Sequence, residues 1–145
     1  MTTAEQIVVD ASVGAKWVLA EPDSDRALAL LDSATRGETS LLAPDVYVPE
    51  VTNIIWKSTH LRGDLTRDEA RDALDGLLGT LPQLTPATGL AAQALELALA
   101  FEHPSYDCLY VALALRHGCP VVTADRGMLR TFGPATGRVV HISAL

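Results

Sequence analysis

Four acidic residues stand at the ends of elements, where a carboxylate can do chemistry: Asp10, Glu50, Asp107 and Asp125. Asp10 closes the β-branched run Ile7-Val8-Val9, and Asp125 lies just past Val121-Val122-Thr123. In open α/β sheets ligands bind outside the carboxyl ends of the strands. A carboxylate that closes a buried strand is costly unless it is paired or metal-bound. Asp107 falls at a helix start and Glu50 in the first turn of a helix. Both have simple structural readings, Asp107 as an N-cap and Glu50 as an anion favoured by the helix macrodipole. Carboxylates gathered at one place are neutralised by bound cations; without a cation they repel, and at least one pKa rises. Spacing alone does not bring the four together, so the elements that carry them decide the matter.

Strand and helix patterns alternate along the chain. Ile7-Val8-Val9, Leu41-Leu42-Ala43, Val121-Val122-Thr123 and Val139-Val140-His141-Ile142 read as short buried strands, with a further short strand beginning near Leu84. A helix starting near Ser12 carries Trp17, Val18 and Leu19, and a second carries Ala27, Leu28, Leu30 and Leu31 up to Gly37. From Asp45 to about Leu61, Val51, Ile54, Ile55 and Ser58 repeat at helical spacing, with Pro49 suited to a first turn. Thr66 and Glu69 form a capping box ahead of Ala70, Ala73, Leu74, Leu77 and Leu78. Leu90 to Phe101 and Asp107 to about Arg116 are helical, the second turning Tyr110, Val111, Leu113 and Ala114 inward and ending at Gly118; Met128, Leu129 and Phe132 suggest a short last helix. The order predicts an α/β fold, a three-layer sandwich with a mainly parallel central sheet. No repeat or linker divides the chain, so residues 1–145 are expected to form a single domain.

Four stretches give the acids a recognisable setting: Val9-Asp10-Ala11-Ser12, Pro49-Glu50-Val51-Thr52-Asn53, the run from Tyr106-Asp107-Cys108 to Leu113-Ala114, and Thr123-Ala124-Asp125. In their order, and at separations of 40, 57 and 18 residues between the acids, they resemble the PIN-domain family over nearly the whole chain. The likeness is greatest to the VapC-type toxins of toxin–antitoxin pairs. The stretch His103-Pro104-Ser105 departs from the family's pattern.

The resemblance implies a PIN-like fold and a Mg²⁺- or Mn²⁺-dependent endoribonuclease with Asp10, Glu50, Asp107 and Asp125 as its catalytic acids. Asp10, Asp107 and Asp125 would hold metal, while Ser12, Asn53 and Thr123 would form a secondary set beside the site. Mg²⁺ and Mn²⁺ prefer hard oxygen ligands, and such an ion lowers the pKa of bound water and polarises a phosphoryl group. The same resemblance implies an RNA substrate, a cognate VapB-type antitoxin and a homodimer. The apolar Leu90 to Phe101 helix and Trp17 add modest support for the dimer. Arg126 and Arg130 beside the fourth acid, and Lys57 two turns beyond Glu50, are candidate RNA contacts.

Other chemistries fit less well. A haloacid-dehalogenase-type phosphatase wants a second Asp two residues after the first, where this chain has Ser12. A signalling receiver domain needs a Lys at a late strand end, and the only lysines are Lys16 and Lys57. Ser12 has no neighbouring His to activate it. A PIN-like protein that binds RNA without cutting it is the remaining alternative. The formal net charge of −7 runs against broad nucleic-acid binding, although net charge does not describe one local site. Cys108 and Cys119 match no zinc spacing and suit a reduced, cytoplasmic setting. The start of the chain lacks a basic targeting region, and no window has the apolar length a bilayer requires.

Overall fold

Strands buried on both faces need continuous apolar runs; Ile7-Val8-Val9, Leu41-Leu42-Ala43 and Val121-Val122 supply them at the centre of a five-stranded sheet whose edge strand Gln83-Leu84-Thr85 is only partly buried. The computed structural model describes residues 3–145; Met1 and Thr2 lie outside the described residues. β1 (Glu5–Val9), β2 (Thr39–Pro44), β3 (Gln83–Thr85), β4 (Val121–Thr123) and β5 (Val139–His141) are parallel throughout, in the spatial order β3-β2-β1-β4-β5. The chain winds outward from β1 to β3, then returns to lay β4 against the other side of β1. The β1–β4 boundary is therefore the topological switch point, the place where such sheets open a crevice at their carboxyl ends.

The helices are α1 (Ala11–Val18), α2 (Ser24–Thr35), α3 (Tyr47–His60), α4 (Arg67–Gly79), α5 (Ala91–Phe101), α6 (Ser105–His117) and α7 (Arg126–Thr136). Alternation along the strands divides the core in two. Val8, Leu42, Val121 and Val139 face a large cluster with residues of α3, α4, α5, α6 and α7. Ile7, Val9, Leu41 and Val122 face a smaller cluster with Val13 of α1 and Ala27 and Leu30 of α2. The result is the three-layer α/β sandwich expected from the sequence. Among the described residues no helix is long and apolar enough to cross a membrane.

Local signals set most boundaries. Thr66 and Glu69 satisfy each other's backbone N–H groups at the start of α4, and Gly118 ends α6 at φ +63°. Three details differ from the sequence reading. Pro44 is the last residue of β2 rather than its stop, since its missing N–H falls at the end of the ladder. Asp107 is the third residue of α6, because the helix already begins at Ser105 behind Pro104. Trp17 packs within the chain, its indole N–H donating to Ala27 O at 2.8 Å and tying α1 to α2. It therefore adds nothing to an open apolar face, whereas Leu95 and Leu99 of α5 and Tyr106 of α6 are exposed.

Candidate functional site

Asp10 sits at the switch point. Its backbone N–H continues the sheet by donating to Val122 O at 3.0 Å, and it is the N-cap residue of α1 without using its side chain as a cap. Two hydroxyls hold the carboxylate instead. Ser12 Oγ donates to Asp10 Oδ2 at 2.5 Å and Thr123 Oγ1 to the same oxygen at 2.9 Å. Ser12 Oγ also accepts from the Ala124 N–H at 3.0 Å, and Thr123 Oγ1 from the Asp125 N–H at 2.9 Å. These contacts bind the start of α1 to the loop after β4, and both come from the secondary set read in the sequence.

Glu50 and Asp107 approach from the large-cluster side. Glu50, in the first turn of α3, accepts from Tyr110 Oη at 2.7 Å. Asp107 Oδ2 meets His103 Nε2 at 2.7 Å. Neither carboxylate caps its own helix through these contacts. Both lie close enough to Asp10 to repel it, and they repel each other. Burial first, and then Asp107 and Glu50, push the Asp10 carboxyl up to about 6, against the opposing pull of the Ser12 and Thr123 hydrogen bonds. Glu50 is also raised, by burial and then by Asp107, while the Tyr110 hydroxyl lowers it. Asp10 is only 5% exposed, so this is a desolvated anionic group with little water to soften the repulsion.

Asp125 is placed differently. Its backbone is one hydroxyl away from Asp10, through Thr123 Oγ1, but its carboxylate accepts from the Gly127 N–H at 2.8 Å and caps α7. Its side chain is exposed and is not among the groups that repel Asp10. Among the described residues no three His, Cys, Asp or Glu side chains stand together as a ready-made metal cage. The donor chemistry nevertheless fits a hard divalent cation. Asp10, Glu50 and Asp107 are oxygen donors on three separate elements, and among the described residues their one ion-pair partner is His103, which carries charge only when protonated. No hydrogen bond among the described residues reaches Asp10 Oδ1.

Asn53, Lys57, Arg126 and Arg130 are exposed. Asn53 and Lys57 follow Glu50 by three and seven residues, on the same side of α3. Burial pushes the Cys108 thiol up to about 11, with Asp107 adding to the shift, so Cys108 is a poor nucleophile.

Three residues of the site were not singled out in the sequence. Tyr110 was legible only as an inward helix position, although it lies three residues beyond Asp107. Tyr47 lies three residues before Glu50; its buried hydroxyl has no hydrogen-bond partner among the described residues, and burial and Asp10 raise its pKa. His103 lies four residues before Asp107. The signal for all three was one-turn spacing from an acid.

This fold, a five-stranded parallel sheet with Asp10 at its switch point, is a PIN-like α/β sandwich. The PIN domain model matches residues 7–132. Ribonuclease VapC3 of Pyrobaculum aerophilum is 33% identical over 129 residues, spanning 88% of this chain and 95% of that protein. The crystal structure of PAE2754 from the same organism matches with a TM-score of 0.69 and 21% identity, over 99% of this chain and 90% of that one. VapBC2 from Rickettsia felis, solved bound to a DNA fragment from their promoter, matches with a TM-score of 0.65 and 13% identity, over 94% of this chain and 96% of that one. The chain belongs to the PIN-domain family, as a homologue of the VapC-type ribonucleases.

Proposed function

We propose that this chain is a Mg²⁺- or Mn²⁺-dependent endoribonuclease and the toxin of a toxin–antitoxin pair. The observation that carries the reading is the mutual repulsion of Asp10, Glu50 and Asp107 at the switch point, with Asp10 raised to about 6. The relationship to a VapC ribonuclease supports the substrate class.

In this reading Asp10, Asp107 and Asp125 hold the cation, Asp125 by leaving its cap. Bound there, the ion supplies an activated water and a polarised phosphoryl group. Glu50, steadied by Tyr110, orients the attacking water. Ser12 and Thr123 fix Asp10 Oδ2, so that only Oδ1 is left to turn toward a ligand. Lys57, Arg126 and Arg130 offer positive charge to the RNA backbone, which an otherwise acidic chain must supply locally.

The test is cleavage of RNA at matched Mg²⁺ or Mn²⁺ concentration by the wild type and by Asp10→Asn. The variant should retain the fold and lose cleavage; equal rates would overturn the reading. The rival, an RNA-binding protein without cleavage activity, draws on the Asp125 cap and on the lack of a ready-made cage among the described residues. RNA binding by a wild type that cuts nothing across the metal series would favour it.

The partners follow the same reading. VapBC2 is the complex of a VapC-type neighbour, and a VapB-type antitoxin is the expected partner here, covering the acidic site with an Arg or Lys in place of the cation. A second copy would cover the face formed by Leu95, Leu99 and Tyr106, which are 53%, 67% and 63% exposed. Light scattering should show a dimer at tens of micromolar. The two free, buried cysteines suit a cytoplasmic setting.

A further inference from the structure

The turn between α5 and α6 is built around one imidazole. α5 ends on Glu102, a non-glycine residue in the left-handed region at φ +52°, a conformation that side chains rarely adopt. That turn brings the His103 N–H back to Ala98 O at 3.2 Å. It also lays the His103 ring edge-on against Phe132 of α7, with centroids 5.0 Å apart at 73°. Phe132 is fully buried and packs in turn on Phe101, 5.1 Å away. The ring is therefore held against α7, and its Nε2 meets Asp107 Oδ2 at 2.7 Å.

Asp107 needs such a restraint. Its side chain is 24% exposed, and both Asp10 and Glu50 repel it, so nothing in the acidic group keeps it turned inward. A partner on Oδ2 holds the carboxylate plane and leaves Oδ1 free. Hydrogen-bonded partners of this kind orient metal-holding carboxylates, and their loss typically costs about 10–100-fold in metal affinity.

We propose that His103 is a positioning residue: its Nε2–H fixes the Asp107 carboxylate in the orientation in which it serves the cation, and Phe132 fixes the ring. The proposal rests on the reading of Asp107 as a metal-holding residue.

The experiment measures Mn²⁺ binding by electron paramagnetic resonance on four folded proteins: wild type, Asp107→Asn, His103→Leu and His103→Gln. Asp107→Asn should weaken binding, which tests the underlying reading alone. His103→Leu, which keeps bulk and loses the donor, should weaken Mn²⁺ binding about tenfold or more. His103→Gln, whose amide N–H falls near the imidazole Nε2 position, should stay within about threefold of wild type. A purely packing role predicts the reverse order, since Leu suits the contact with Phe132 better than Gln. Folded His103→Leu that binds Mn²⁺ like wild type, beside an Asp107→Asn that does not, overturns the positioning role and leaves the site reading standing. Asp107→Asn that binds like wild type overturns both. Should His103→Leu fail to fold, the wild type itself decides. The imidazole ¹⁵N resonances of His103 should move on saturation with Mg²⁺ while those of His60 and His117 stay, and an unmoved His103 signal overturns the proposal.

Discussion

Tyr110 Oη donates to Glu50 Oε1 across 2.7 Å and so joins α6 to α3, two helices that carry different acids of the site. The phenol is fully buried, and burial together with Asp10 and Glu50 raises its pKa, so it is a donor at every working pH. Removing it strands Glu50, which burial already disfavours as an anion. Tyr110→Phe should lower stability by about 1.5–3 kcal/mol, the range for a hydrogen bond to a charged group. A double-mutant cycle with Glu50→Ala, which removes the acceptor, followed by urea unfolding, should return a coupling energy of about 1 kcal/mol or more. Additive single effects would mean that the bond contributes nothing in solution.

Asp10 makes the metal-free protein sensitive to pH. Its folded-state pKa is about 6 against a reference of 3.8, so the native state binds the proton more tightly than the unfolded chain. The associated stability is fully present below pH 3.8 and is lost as pH rises through 6. The whole shift corresponds to ~3 kcal/mol. Between pH 5 and pH 7.5 the wild type should lose roughly 1–2 kcal/mol more than Asp10→Asn, which is isosteric and neutral. Glu50, shifted in the same direction, remains in both proteins and cancels in the comparison. Mn²⁺ should restore the stability lost by the wild type, because a ligand of the folded state stabilises it. Parallel pH profiles for the two proteins would remove the assigned pKa.

Gly14 and Tyr47 are matched in a way that reverses an ordinary expectation. Glycine inside a helix is normally about 0.5–1 kcal/mol worse than alanine. Here a Cβ on Gly14 would lie 1.9 Å from Tyr47 Oη and 2.6 Å from Cζ, both on a rigid, buried ring. Gly14→Ala should therefore destabilise by about 1–3 kcal/mol, as overpacking does. Tyr47→Phe removes a buried hydroxyl without a partner and should be neutral or stabilising by about 1 kcal/mol. In the double variant Tyr47→Phe should recover part of the alanine's cost. Thermal unfolding of the three variants checks all of this, and a Gly14→Ala protein more stable than wild type would contradict the packing described.

The fold was legible because its central strands are apolar on both faces and helices such as α3 and α4 carry one apolar stripe, whereas the partly buried β3 and the fully enclosed α6 lack so clear a pattern. Asp10 was legible for the same reason, since an ionisable group directly after Ile7-Val8-Val9 stands out. What the one-dimensional pattern does not encode is rotamer choice. Asp107 read as an acid at a helix start and Asp125 as an acid at a strand end. One turns to an imidazole four residues upstream and the other to the N–H of Gly127. Tyr47, Tyr110 and His103 were equally silent. A buried Tyr in an apolar stripe looks the same whether its hydroxyl meets Glu50 or nothing, and a His after a helix end looks the same with or without Phe132 across from it.

Asp125 is where capping and catalysis compete, and one pair of substitutions separates them. Its Oδ1 accepts from the Gly127 N–H, and α7 depends on that contact for its first turn. Asp125→Ala loses the cap and should cost about 1 kcal/mol. Asp125→Ser keeps a capping oxygen at the same position, and serine caps nearly as well as aspartate, so its stability should match wild type within about 0.5 kcal/mol. Serine carries no negative charge, so it cannot replace a carboxylate that holds a divalent cation. If Asp125 serves the metal, both variants lose cleavage although only one is destabilised. If it serves the helix alone, Asp125→Ser cuts RNA at the wild-type rate. We expect the first result. It has a second signature in the unmodified protein: while its Oδ1 caps α7, Asp125 is not among the groups that act on Asp10, and turning the carboxylate inward would take Oδ1 away from the Gly127 N–H. Saturating Mg²⁺ should release the Gly127 amide, seen as a shift of its resonance and faster hydrogen exchange. A Gly127 amide that stays protected while metal binds would leave Asp125 as a cap.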